Sequence, residues 1–195
     1  NPETKKAIRI LPWEIDSDGF FLVKMRKIDE TESPEKEEVR ETENRVVKSN
    51  HKEIKPYLDY ISDHFGVDKN VLDDYKYIFR GKDIYFVIKD WEDDNIGLFN
   101  RIGLKLGTLD KKERITFNSQ GAQVLEKFIT KFIYELKNEE ELLNYLTGWK
   151  IKDIEIPIGQ YVIKYNNWVL GTAVMTNDGL KSRFPRTKRT QRFDF

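Results

Sequence analysis

The sequence predicts an α+β fold of small mixed sheets and two main helices, and three observations support this class. Runs of β-branched and aromatic residues interrupted by turn residues predict hairpins at 75–88 and 160–176. Apolar residues at helical spacing predict one amphipathic helix after Lys52 and a longer one from about Gln120 to Leu136. The 195 residues, 38% of them hydrophobic, suffice for one generous domain or two small ones.

The composition excludes several classes of protein. The chain has no cysteine, which excludes disulfides, thiolate zinc sites and a cysteine nucleophile. No apolar run approaches the roughly 20 residues of a membrane span, and the amino end lacks the apolar core of a signal peptide. We therefore expect a soluble, cytoplasmic protein without a membrane partner. The chain begins at Asn1 rather than at methionine, which is expected of a processed end, a trimmed chain or a fragment.

The charge is unevenly distributed along the chain. Lysine and arginine together number 34, as do aspartate and glutamate, so the formal net charge is zero. Residues 29–50 are dense in glutamate and poor in apolar residues, which predicts a flexible acidic linker and a domain boundary. The last sixteen residues are strongly cationic. Because local fields govern binding, the zero total is no argument against a nucleic-acid partner.

The amino end predicts an isolated strand pair. Residues 7–11 form a short apolar run, and residues 20–27 form a second one after the turn at Asp18-Gly19. Two strands alone are marginal in water. The pair is therefore expected to add to a sheet elsewhere, in this chain or in another segment.

The middle of the chain alternates between helical and strand patterns. Gly66 and Gly148 supply helix stops, and Pro56 is tolerated in a first helical turn. The broad apolar stripe of the longest helix is expected to be core. The predicted elements are a helix at 54–65, strands at 75–79, 83–88, 102–106 and 114–117, the long helix at 120–136 and a short helix at 139–146.

The carboxy-terminal segment predicts a hairpin followed by a basic exit. Strands at 160–165 and 168–176 are joined by Asn166-Asn167, which tolerate positive φ, and 177–179 form a second tight turn. Pro185 stiffens the basic run that follows, and stiff cations bind phosphate at lower entropic cost. A merely solubilising, disordered tail is the alternative. The cations are Lys181, Arg183, Arg186, Lys188, Arg189 and Arg192.

Catalytic and metal motifs are not visible in the sequence. His51 and His64 lie far apart, and the acidic run at 90–94 lacks the spacing of a calcium loop. A glycine-rich dinucleotide motif, a phosphate loop and a nucleophile elbow are also missing. No catalytic residue, metal or cofactor is therefore expected.

Two stretches resemble a known family. Arg9 to Lys27, RILPWEIDSDGFFLVKMRK, resembles the motif that closes the methyltransferase domain of the Sun family of RNA cytosine-5 methyltransferases. Leu142 to Gly148 and Tyr161 to Arg186 resemble the PUA-like RNA-binding domain at the carboxyl end of many members, with its Gly-Leu-Lys turn and Pro-Arg pair. Arg101 to Phe128 is similar to the segment that precedes that domain.

The resemblance implies a domain plan and an activity. It implies a hairpin from the end of a methyltransferase sheet at 1–28, the linker at 29–50, an α+β RNA-binding subdomain at 51–137, and a PUA-like β-barrel at 138–195. Family members carry a glycine-rich S-adenosylmethionine loop and two catalytic cysteines, and this chain has neither. The resemblance therefore implies a non-catalytic RNA-binding part, either a fragment or a stand-alone relative.

The leading hypothesis is a module that binds structured RNA, tRNA or rRNA, for a methyltransferase domain or subunit. The cations after the hairpin would contact phosphates, and Lys105 would be a secondary contact. Trp168 or Tyr165 could stack on an unpaired base, although burial in the core is the commoner fate of an aromatic residue. The alternative is a protein-interaction or ribosome-assembly module that docks through the amino-terminal hairpin.

Overall fold

A computed structural model describes residues 7–10, 20–24, 26, 45–92, 99 and 102–189, and it confirms the α+β class. The chain divides into two units, Asn1–Val39 and Arg40–Phe195. In the first unit, β1 (Ile8–Ile10) pairs antiparallel with β2 (Phe20–Leu22). The predicted amino-terminal hairpin is therefore confirmed where it is described.

A first five-stranded antiparallel sheet lies in the second unit, in the order β3-β4-β5-β6-β7. The hairpin predicted at 75–88 is confirmed, with Gly81 and Lys82 in its turn. The strand predicted at 102–106 is shifted towards the carboxyl end. The strands are β3 (Arg45–Lys48), β4 (Tyr75–Arg80), β5 (Asp83–Ile88), β6 (Leu104–Leu109) and β7 (Ile115–Phe117).

Strand β3 corrects the prediction of a linker that extends to residue 50. Val47 pairs with Tyr77 of β4, and both side chains are buried. Two valines among charged residues are too short an apolar run to predict a strand from sequence, and the partner strand supplies the missing stabilisation. The part of the predicted linker at 29–44 lies outside the described residues.

Two helices pack beside this sheet. Helix α1 (Lys55–Phe65) buries Leu58, Ile61 and Phe65, and α2 (Lys69–Leu72) buries Leu72. Gly66 ends α1 in the left-handed conformation, at φ 71°. The predicted helix and its stop are confirmed.

The prediction of one long helix at 120–136 is wrong. The chain forms α3 (Ser119–Val124), a 3₁₀ turn at Glu126–Phe128 and strand β8 (Ile133–Glu135). The backbone N–H groups of Thr130 and Lys131 both donate to the carbonyl oxygen of Phe65, and these bonds hold the chain away from a helical path. Helical spacing of apolar residues misled the prediction, because tertiary partners override local periodicity.

The stripe of that predicted helix is only partly core. Leu125, Ile129 and Leu136 are buried, whereas Val124 and Phe128 are exposed. Since the helix ends at residue 124, the residues beyond it no longer share one face.

A second five-stranded sheet has the order β8-β10-β11-β12-β9, in which β8 and β10 are parallel and the other pairs antiparallel. Asn166 and Asn167, at φ 48° and 69°, form the predicted hairpin turn. Helix α4 (Glu139–Thr147) precedes the later strands and ends at Gly148, as predicted. Those strands are β9 (Lys150–Ile151), β10 (Gly159–Tyr165), β11 (Trp168–Thr176) and β12 (Gly179–Ser182).

The β-barrel expected at 138–195 is not confirmed. Among the described strands this sheet is open, with β8 at one edge and β9 at the other. Strand β8 comes from residues 133–135, which precede the expected start of the barrel domain.

The second sheet lies between two apolar cores. Val162 and Val169 join the core of the first sheet and α1, whereas Ile163, Ala173 and Met175 join a core that contains Leu142 and Tyr145 of α4. The two sheets of this unit are thus packed together through β10 and β11. Within the described ranges, no helix has the length and apolar character needed to cross a membrane.

Candidate nucleic-acid interface

Strand β12 presents cations from one side. Leu180 and Ser182 are buried, while the intervening Lys181 and the following Arg183 are exposed. Successive side chains of a strand point to opposite faces, so burial of the even positions turns the odd ones outward. The backbone N–H of Arg183 donates to the Thr172 carbonyl oxygen at 3.0 Å, which continues the pairing with β11 past the end of β12.

The segment after β12 is anchored to the fold. The Phe184 N–H donates to the Ser182 hydroxyl oxygen at 3.0 Å, and its ring packs against that of Tyr145 with centroids 5.8 Å apart. A 3₁₀ turn at Arg186–Lys188 follows, and Nε of Arg189 donates to the Phe184 carbonyl oxygen at 3.2 Å. Arg186 and Lys188 therefore extend from a segment fixed at both ends rather than from a free tail.

These cations lack acidic partners within the described part of the chain. Lys181, Arg183, Arg186 and Lys188 form no ion pair there, and we refer to these four residues as the basic edge. Five lysines around the first sheet and its helices are instead paired with carboxylates. Their pairs are Lys55–Asp59, Lys69–Asp59, Lys76–Glu92, Lys89–Asp74 and Lys105–Asp83. The basic edge thus gathers four exposed cations, without an acidic partner among the described residues, within eight residues of the chain.

A cleft of about 380 Å³, lined by both polar and apolar groups, adjoins the basic edge where the two sheets meet. Arg183 forms part of its wall, and four hydroxyl residues line it, of which Ser119 and Thr172 are buried. Cations and hydroxyls are the groups that proteins use to hold phosphate and sugar oxygens. The lining residues are Thr108, Leu109, Asp110, Thr116, Phe117, Asn118, Ser119, Thr172 and Arg183.

The β6–β7 turn places further charged residues at this cleft. The Asp110 carboxylate accepts bonds from the backbone N–H groups of Lys112 and Arg114, and from Nε and Nη2 of Arg114 at 2.9 and 2.7 Å. The backbone and side-chain bonds from Arg114 lower the pKa of Asp110 to about 2. Asp110 is therefore ionised at neutral pH and holds the Arg114 guanidinium, while Lys111 and Lys112 are exposed.

The structure separates the other residues predicted for RNA contact. Lys105 lies on β6 with its Nζ 2.7 Å from Asp83 Oδ2, so its charge is already paired. Tyr165 is half-buried against the second core, and Trp168 is 74% exposed. Arg189 is half-buried beside Gly148. Arg192 lies outside the described residues.

One exposed aromatic residue was missed by the sequence analysis. Trp149 is 72% exposed and stands between the end of α4 and β9. The available signal was its position between the helix stop Gly148 and Lys150.

In the described ranges, no three histidine, aspartate or glutamate residues are grouped so that they could hold a metal ion.

The fold and site define an α+β protein with a cationic sheet edge beside a cleft. No protein-family model matches the chain. Its sequence is 27% identical over 187 residues to ribosomal RNA small subunit methyltransferase F of Shewanella woodyi. The alignment covers 92% of this chain but 37% of that protein, so the chain spans little more than a third of its relative's length. This similarity supports a relationship to the Sun family of methyltransferases.

Proposed function

We propose that this chain is an RNA-binding module that recognises structured RNA, tRNA or rRNA, and has no catalytic residues of its own. The observation that carries the proposal is the basic edge, a set of exposed cations on an anchored strand and turn that have no acidic partner among the described residues. The similarity to a ribosomal RNA methyltransferase supports RNA as the polyanion.

The basic edge would supply affinity, and the cleft would supply orientation. Contacts between cations and phosphates release counterions, so binding is salt-dependent and largely independent of sequence. The wide minor groove of an A-form helix displays 2′-hydroxyls, which the part-exposed polar side chains of the cleft, Thr116 and Asn118, could recognise. Preference for RNA over DNA would arise there rather than from the cations.

Methyl transfer would belong to another part of the system. The sequence contains no cysteine for the two-cysteine chemistry of the Sun family. We therefore assign to this chain the role of positioning RNA for a methyltransferase domain or subunit, without a cofactor. The second sheet with α4 would be the PUA-like part.

Fluorescence anisotropy tests the proposed function. The purified chain is titrated into a labelled tRNA transcript, a labelled rRNA hairpin and a DNA hairpin of the same length as the latter, each at two salt concentrations. We expect salt-sensitive binding that prefers RNA. Negligible binding, or equal binding to RNA and DNA, would show that the chain is not an RNA-binding module.

Replacing Asp110 by Asn is expected to strengthen RNA binding. The change removes a negative charge from the cleft and releases the Arg114 guanidinium. Because this carboxylate lines the cleft together with Arg183, we expect its loss to increase the affinity about threefold and to steepen the salt dependence. Anisotropy with the rRNA hairpin measures both. Since the pKa of Asp110 is about 2, the difference from the unmodified chain should persist from pH 5 to pH 8. Equal or weaker binding by D110N would place the RNA away from this turn.

A second candidate function is docking onto another protein through the amino-terminal hairpin. Ile8 is 59% exposed and Phe21 is 60% exposed, and Leu22 and Val23 are also exposed. Apolar side chains on a two-stranded ribbon favour addition to another sheet. Light scattering of the chain with and without residues 1–27 tests this function: association that depends on those residues, together with weak RNA affinity, would favour it.

A further inference from the structure

Trp149 is held by its backbone while its side chain is exposed. Gly148 ends α4 in the left-handed conformation at φ 86°, and the Trp149 N–H donates to the Asn144 carbonyl oxygen at 2.8 Å. The next residue, Lys150, begins β9 and pairs with Lys181 of β12. Burial of an indole stabilises a fold. Because the Trp149 indole is 72% exposed although its backbone is held in place, most of that stabilisation is absent.

The residues on either side of Trp149 lie beside cations. The guanidinium of Arg189 lies against Gly148, the residue before Trp149. Lys150, the residue after it, is the direct cross-strand partner of Lys181, and such partners share one face of a sheet. Lys150 is partly neutralised by Asp178, at 3.3 Å, whereas Lys181 has no acidic partner within the described ranges. The backbone of Trp149 thus lies one residue from the strand pair that carries Lys181 of the basic edge.

Trp168 provides a contrast within the same sheet. It is equally exposed, at 74%, but it lies six residues along β11 from Val174, the partner of Lys181. At roughly 3.3 Å per strand residue, this separation is about 20 Å. Exposure alone therefore does not distinguish the two tryptophans, but proximity to Lys181 does.

We propose that Trp149 is a stacking platform for an unpaired base of the RNA whose phosphates contact the basic edge. The inference rests on the proposed function and specifies its ligand, an RNA helix that continues into a single-stranded nucleotide. Bases inside a helix are already stacked, whereas an unpaired base offers a free face to an aromatic side chain. Since every base has such a face, recognition would tolerate any base at that position.

The test compares two RNAs and three variants. The RNAs are a blunt hairpin and the same hairpin with a single-stranded extension of about four nucleotides, the lower end of known binding-site sizes. Anisotropy with wild type, W149A and W168A gives the affinities, and thermal unfolding confirms that the variants fold. We expect W149A to bind the extended RNA about tenfold more weakly and the blunt RNA unchanged. W168A should match the wild type on both, and W149F should retain most of the preference for the extended RNA.

Each other outcome has a distinct meaning. The stacking role is overturned if W149A binds both RNAs as tightly as the wild type, if its affinity for both falls equally, or if W168A shows the same loss. The RNA-binding module survives each of these results. If W149A changes only self-association in sedimentation, the indole is a protein contact and the inference is again overturned. If the wild type binds neither RNA, the proposed function itself fails, and the inference fails with it.

Discussion

Replacing Lys181, Arg183 and Arg186 together by Glu is expected to lower the affinity for structured RNA by at least about 100-fold at low salt. The three side chains are exposed and form no ion pair within the described part of the chain, so the substitutions remove phosphate contacts without breaking a bridge described there. The slope of log affinity against log salt should fall by about two, since each lost contact contributes roughly 0.7 to 0.9. Anisotropy over a salt series measures both quantities.

A second triple variant controls for net charge. Lys52, Lys127 and Lys137 are also exposed and lie elsewhere along the chain. Their replacement by Glu changes the total charge by the same amount but should weaken binding only a few-fold. Equal losses in the two triple variants would show that general charge, rather than the basic edge, attracts the RNA. Circular dichroism establishes that both variants are folded.

Replacing Gln160 by Ala is expected to lower the free energy of unfolding by about 2 to 4 kcal/mol. The Gln160 side chain extends from β10 to the edge of the first sheet. Its Oε1 accepts from the Phe117 N–H at 2.9 Å, and its Nε2 donates to the Ile115 carbonyl oxygen at 2.8 Å and to the Tyr60 hydroxyl at 3.2 Å. Truncation would leave polar groups of β7 unpaired at the packed boundary between the sheets.

Thermal unfolding followed by circular dichroism checks this prediction. The melting temperature of Q160A should fall by about 5 to 15 °C. Gln123 is the matched control, because its Nε2 makes only longer bonds, of 3.3 and 3.5 Å, to carbonyl oxygens of β11. Q123A should change the melting temperature by less than about 2 °C. A Q160A variant as stable as Q123A would contradict the role of Gln160 in joining the sheets.

Local signals predicted the parts of the fold that depend on neighbouring residues. The turn at Asn166-Asn167 and the helix stops at Gly66 and Gly148 follow from the few residue types that tolerate positive φ. The end of α3 could not be predicted in this way. It depends on bonds to Phe65, more than sixty residues earlier, and on the pairing of β8 with β10.

The sequence predicts which residues of the candidate site are charged, but not which of those charges are paired in the fold. The cations after residue 180 are evident in the sequence, yet the pairing of Lys105 with Asp83 and the contact of Arg189 with Gly148 require the fold. For the same reason, the sequence analysis named Trp168 and Tyr165 as candidates for stacking and did not identify Trp149. Residues distant in sequence decide which cation is available and which indole lies beside it.

The parallel pairing of β8 with β10 also limits where this chain can be divided. A fragment beginning at residue 138 would keep β10 but lose β8. The backbone groups of Val162 to Lys164 would then face solvent along an apolar strand that neighbours cover on both sides in the full chain. Unprotected strands of this kind are templates for intermolecular pairing. The division that the sequence suggests would therefore convert an inner strand into a site of aggregation.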